Sequence, residues 1–186
     1  KVEVTIAGGT TYDVWYGDEL ILDDSRLSMD VEGNVLGSAP KLQKVIRRTV
    51  NEIKRPFLKL KYAEVPNNFN EMTLKMKGDW SVVFRAYNDG VAYRFVTEFP
   101  GEIKVNSEDI TVFFPDETQL VLQLSDGFRT SYEEPYSFHK ASQYREYSKM
   151  AHYPILAVTP GGTKVLMSES DLVDYPAPFF RGNEAN

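Results

Sequence analysis

Polar and apolar residues alternate along most of this chain. In KVEVTIA (Lys1 to Ala7), Val2, Val4 and Ile6 fall on one side and Glu3 and Thr5 on the other, the period-two pattern of a half-buried strand. Gly8-Gly9 marks a turn, TTYDVWY (Thr10 to Tyr16) a second strand and Gly17-Asp18 a second turn; ELIL and RLSMDVE continue the pattern. The opening predicts a meander. Between Leu42 and Ile53 the signal is mixed. Leu42, Val45, Ile46, Val50 and Ile53 have helical spacing, yet Val, Ile and Thr dominate and Pro56 follows. β-branched side chains suit a pleated surface, so the segment is read as a strand.

Met72 to Gly78 (MTLKMKG) alternates cleanly, and SVVFRAY and VAYRFVTEF flank Asn88-Asp89-Gly90. A turn of that composition supplies the φ > 0 positions that a tight hairpin requires. ITVFFP, TQLVLQL, YPILAVTP and KVLMSESDL follow, the last two joined by Pro160-Gly161-Gly162. Strands recur about every 8 to 12 residues with turn residues between them, the mark of an all-β sandwich or barrel. There is no βαβ rhythm, heptad or internal repeat. Ser125 to Lys149, rich in Ser, Tyr, Glu and Arg, reads as a long excursion of functional interest.

Composition narrows the partners. At 186 residues one domain is the default, and 42% hydrophobic with 26% charged residues describes an ordinary globular chain. The 11 Tyr and 11 Phe favour β structure and are compatible with a sugar-facing surface. The net charge is −6. The densest basic stretch, KVIRRTVNEIKRP (Lys44 to Pro56), is short and interrupted by Glu52, which argues against nucleic-acid binding. With no cysteine, disulfides, thiolate nucleophiles and Cys-ligated metals are excluded. No apolar run is long enough for a transmembrane helix. No signal peptide is visible; the chain opens on KVEVTIA as if a leader had been removed.

Catalytic motifs are sparse. His139 and His152 are the only histidines and have no metal-ligand spacing; His152 reads as a loop or strand-edge residue. No nucleophile elbow or phosphate loop is present. Acids sit among aromatics and prolines at Glu133-Glu134 in SYEEPY, and at Glu169 and Asp171 in MSESDLVDYP. A glutamate closing the apolar strand KVLM is partly desolvated, which suits a hard cation or a general acid. An exposed strand-end carboxylate is the plainer alternative. In RAYNDGVAYRF, Arg85 and Arg94 read as buried structural residues bonded to carboxylates or carbonyls, because a buried guanidinium must be paired; a direct sugar contact from either is the alternative.

FRAYNDGVAYRF, SYEEPY and PILAVTPGGTKVLMSESDLVDYP resemble, in order and spacing, the amino-terminal domain of glycoside hydrolase family 97, whose known members are bacterial α-glucosidases and α-galactosidases. NNFNEMTLKM (Asn67 to Met76) resembles the family's Asn-Glu segment before that hairpin. The resemblance covers nearly the whole chain. It implies an all-β β-super-sandwich of antiparallel sheets, similar to galactose mutarotase, packed on a (β/α)₈ barrel that carries the general acid and the base or nucleophile. It further implies that the position matching Glu169 supplies one ligand to a calcium ion (Ca²⁺) at the barrel mouth, where the ion helps position the substrate and the catalytic groups. No catalytic residue is then expected in this chain.

The expectation is an amino-terminal domain, residues 1–186, truncated at its carboxy end because the family's domain is expected to continue with further strands, and without the catalytic barrel, since barrels of that type take roughly 250 residues. The parent is expected to be a periplasmic or otherwise exported, exo-acting α-glycosidase on oligosaccharides, with carbohydrate and its own barrel as partners. A non-catalytic carbohydrate-binding or scaffold sandwich is the alternative. A free-standing mutarotase-like enzyme is a weaker one, because it needs an acid and a base in one domain. The sequence departs from the family at Ala177-Pro178, where Gly-Met is usual. Neither Ala nor Pro replaces a glycine at φ > 0, so the loop after Glu169 is expected to run differently.

Overall fold

The computed structural model describes residues 1–59, 61–145, 147–170 and 172–183. In chain order the strands are β1 (Val2–Thr5), β2 (Thr11–Tyr16), β3 (Glu19–Val31), β4 (Asn34–Leu36), β5 (Leu42–Lys54), β6 (Val65–Met76), β7 (Trp80–Ala86), β8 (Val91–Thr97), β9 (Val105–Thr111), β10 (Gln119–Ser125) and β11 (Tyr136–Lys140). A single-turn helix α1 (Ala141–Tyr144) precedes β12 (Met150–Val158), β13 (Lys164–Met167) and β14 (Phe179–Phe180). The fold is all-β as expected. Among the described residues it has three antiparallel sheets, divided between two compact units: residues 1–17 with 24–111, and residues 18–23 with 112–186.

The first unit is a sandwich. One sheet is the predicted meander β1-β2-β3-β4, with β9 added against β3; the other is β5-β6-β7-β8. Leu27, Met29 and Val31 of β3 alternate inward, and they are buried, as are Leu74, Met76, Val82 and Phe84 of the other sheet. The Tyr12 ring bridges the two sheets, 5.7 Å from Phe84 and 6.3 Å from Tyr93 between centroids. Burial pushes the Tyr12 hydroxyl up to about 12, because the phenolate has no solvent there. ELIL and RLSMDVE form one continuous strand rather than two. The mixed segment from Leu42 is a strand, as read, in register with β6 from Leu42↔Met76 to Lys54↔Val65. β7 follows β6 only to Asn70↔Ala86. The last rungs of β5 and β6 therefore continue as a two-stranded ribbon, ending near the exposed Phe57, Leu58 and Tyr62.

One turn differs from expectation, and a primed turn forms at a place the sequence reading did not mark. The β7–β8 hairpin is closed by Tyr87 N–H donating to Gly90 O at 2.8 Å, and none of Asn88, Asp89 or Gly90 has positive φ. Between Ala86↔Val91 the loop has room for four residues, and loops of that length are built around turns with negative φ. The left-handed pair sits at Glu32 (φ 54) and Gly33 (φ 88), the two-residue loop between Val31↔Asn34, where a primed turn matches the strand twist.

In the second unit the sheet order is β11-β10-β12-β13, with β14 against β12. Its core comprises Leu120, Leu122, Tyr144, Ala151, Ile155 and Ala157. The supposed excursion from Ser125 to Lys149 contains β11 and α1, so among the described residues its irregular parts are Asp126–Pro135 and the short link of Arg145 and Tyr147–Lys149. Tyr144 anchors the far end of the chain by donating to Phe180 O at 3.0 Å or Lys149 O at 3.2 Å. The Pro160-Gly161-Gly162 turn forms as expected, with Gly162 at φ +87.

Candidate functional site

The signature hairpin is organised by one row across three strands. Strand register sets Arg48 opposite Glu71 and Glu71 opposite Arg85. The Glu71 carboxylate, 8% exposed, accepts from Arg48 Nε at 2.6 Å and from Arg85 Nε at 2.8 Å. Arg85 also lies over the Phe69 ring, 4.4 Å from its centroid, a favourable seat for a guanidinium. These bonds, Arg48 foremost, hold the Glu71 carboxyl below its ordinary range. Arg85 is thus the paired structural residue expected. Arg94 is not: it is exposed and enters no ion pair among the described residues. Arg48 was not anticipated, although pairing β5 with β6 in sequence would have set it against Glu71.

A second carboxylate clamps a turn in the other unit. Glu19 accepts from the Thr159 hydroxyl and, at 2.5 Å, from the Thr163 hydroxyl, which lowers its pKa. A Cβ on Gly161 would come within 2.5 Å of Glu19 Oε1, so the glycine makes room for the carboxylate. Both carboxylate clusters serve the fold, since neither faces a second acid or base.

The predicted metal ligand, Glu169, lies two residues past the end of β13 and is half-buried, with an interaction partner of its own. Asp171 lies outside the described residues. Leu172 and Val173 are exposed, and the left-handed residue of this segment is Asp174 at φ 52. Ala177 and Pro178 have no positive φ, so the turn sits at an aspartate, which tolerates that conformation. No group of three or more His, Asp or Glu is placed to hold a metal ion among the described residues. Calcium takes six to eight oxygens, and the one carboxylate of Glu169 supplies at most two of them.

Glu133 and Glu134 are exposed on the loop between β10 and β11, where Gln123 Nε2 donates to Glu134 O at 2.9 Å. The histidines are apart in role. His139 contacts Ser137 Oγ at 3.1 Å and the Tyr147 ring at 4.6 Å. His152 is not at an edge: it is 4% exposed within β12, packed by Tyr132 at 4.8 Å and Phe179 at 5.9 Å. No acid–base pair emerges among these groups.

The family model for the glycosyl-hydrolase 97 amino-terminal domain matches residues 1–186. A retaining α-galactosidase of Bacteroides thetaiotaomicron is 35% identical over 195 residues, covering 99% of this chain and 29% of that protein. A glycoside hydrolase family 97 enzyme from Pseudoalteromonas sp. strain K8, solved in complex with acarbose, superimposes with a TM-score of 0.84 at 18% identity, covering 98% of this chain and 29% of the enzyme. A β-arabinopyranosidase gives 0.79 at 23% identity, covering 92% of this chain and 30% of that one. The chain spans under a third of the length of these relatives. No helix among the described residues is long and apolar enough to cross a membrane. With the family model matched from end to end, this chain belongs to glycoside hydrolase family 97, as its amino-terminal domain.

Proposed function

We propose that this domain is part of an exported, periplasmic, calcium-dependent exo-α-glycosidase, in which it packs on a catalytic barrel and lends the barrel Glu169. The match of the family's amino-terminal model to residues 1–186 carries the reading. α-Galactosides are the first substrates to test, because the relative at 35% identity is named a retaining α-galactosidase; α-glucosides are the second. The acid and the base or nucleophile lie outside this chain. Glu169 supplies one carboxylate to the ion, and Arg48, Glu71 and Arg85 keep rigid the sandwich of the first unit. When bound, the cation offsets the crowding of carboxylates at such a site and helps position the sugar.

Calorimetric calcium titration of the longer polypeptide, with and without Glu169→Gln, is the test. Loss of a partner that merely orients a ligand costs 10–100-fold in metal affinity, so loss of a ligand should weaken calcium binding by about tenfold or more, with turnover falling in step. A Glu169→Gln protein that binds calcium as well as its parent would refute the assignment.

A further inference from the structure

Between β5 and β6 the sequence reads KRPFLKLKY (Lys54 to Tyr62), four cations and no acid in nine residues of a chain whose net charge is −6. Pro56 brings no backbone donor to a ladder, and pairing of the two strands ends at Lys54↔Val65. β7 joins β6 only from Asn70 onward, so Val65 to Phe69 pair with β5 alone. At about 3.4 Å per residue this ribbon carries its tip roughly 17 Å past the last rung shared with β7. Asn51, Glu52, Ile53 and Lys54 are exposed in succession, so neither face of the ribbon is covered there. At the tip Phe57 is 99% exposed, Leu58 69% and Tyr62 67%, with Ile53 at 55% behind them. Single apolar residues in water are ordinary, whereas a cluster of them marks a surface that binds something. Lys54 is held by Glu52 at 2.8 Å and Arg55 by Glu64 at 2.7 Å. Lys59 and Lys61 are exposed and enter no ion pair among the described residues.

We infer that the ribbon tip seats the protein on an anionic lipid surface. Aromatic side chains such as Phe57 and Tyr62 suit the headgroup level of a bilayer. A lysine lays its stem along apolar surface and keeps its ammonium among the phosphates, which fits the interleaving of Lys59 and Lys61 with Phe57, Leu58 and Tyr62. Each basic residue close to an anionic leaflet strengthens attachment by about fivefold. The screening length at physiological salt is about 8 Å, shorter than the reach of the ribbon, so charges on the sandwich behind it are largely screened. A second copy suits the tip less well. A two-fold contact sets Lys59 and Lys61 against their own equivalents, and like charges across an interface are unfavourable. The inference depends neither on the substrate nor on Glu169.

Co-sedimentation of the longer polypeptide with vesicles tests this, using equal parts of phosphatidylglycerol and phosphatidylcholine against phosphatidylcholine alone. The anionic vesicles should bind the protein about tenfold or more tightly. Lys59→Gln combined with Lys61→Gln should weaken that binding by about tenfold or more, Phe57→Ser should weaken it as well, and Lys59→Arg combined with Lys61→Arg should keep it. The substituted side chains stand in water, so the variants should keep the parent's Tm. Binding to neither composition, equal binding to both, or binding unmoved by the paired Lys→Gln substitutions would overturn the inference and leave the proposed function untouched. Self-association in sedimentation velocity without lipid, lost in Phe57→Ser, would assign the tip to a second copy and also overturn it.

Discussion

Glu71 is nearly buried and accepts from two guanidiniums, so its protonation is linked to folding. Its folded-state pKa lies below the unfolded value of about 4.3, as does that of Glu19 under its two threonine hydroxyls. The folded chain then binds fewer protons than the unfolded one in that range. The stability these groups contribute is complete above the unfolded value and is lost as pH falls through the lowered folded values. Calorimetric unfolding from pH 7 to pH 3 should show a steady Tm that drops below about pH 4.3, with Glu71→Gln and Glu19→Gln each flattening the drop. At pH 7, Glu71→Gln should cost about 1–2 kcal/mol, the worth of charge-assisted bonds discounted for the exposure of Arg48. An unchanged pH slope in Glu71→Gln would show that the row does not couple to folding.

At the scale of elements, Gly37 separates two ways in which a glycine is needed. It has φ +91, and a Cβ there would stand 2.5 Å from the Leu27 carbonyl oxygen; Gly8 has φ +76 with nothing within 4 Å. Gly8→Ala should cost about 1–2 kcal/mol, the price of the left-handed conformation alone. Gly37→Ala should cost more, because backbone must also move, and chemical denaturation of the two variants will show the difference. Strands with clean alternation were legible in the sequence, as was β5, where β-branched residues outweighed helical spacing. β9 (VNSEDIT) was missed because it is polar; its place comes from register with β3, Arg26↔Thr111 to Val31↔Val105. β11 was missed for a related reason. Its outward Tyr136 and Phe138 alternate with Ser137 and His139 rather than with aliphatic residues, and pairing with β10 decides its conformation. The hairpin arginines were legible as paired residues only where burial followed: Arg85 lies in the Glu71 row, whereas Arg94 faces solvent.

Taken as a whole molecule, the chain is all-β with one four-residue helix, and no catalytic acid–base pair is brought together, among the described residues. Glu169 became a candidate through family resemblance, since one carboxylate at a strand end carries no metal signal by itself. On the function proposed above, the remaining donors and the catalytic groups lie in polypeptide outside this chain. The most direct test compares hydrolysis of a nitrophenyl α-galactoside, and of the α-glucoside, by the longer polypeptide and by the purified 186-residue chain. The longer polypeptide should hydrolyse one of them and the 186-residue chain neither. Robust hydrolysis by the shorter chain, abolished by substituting one of its own carboxylates, would contradict the assignment of catalysis to the rest of the enzyme.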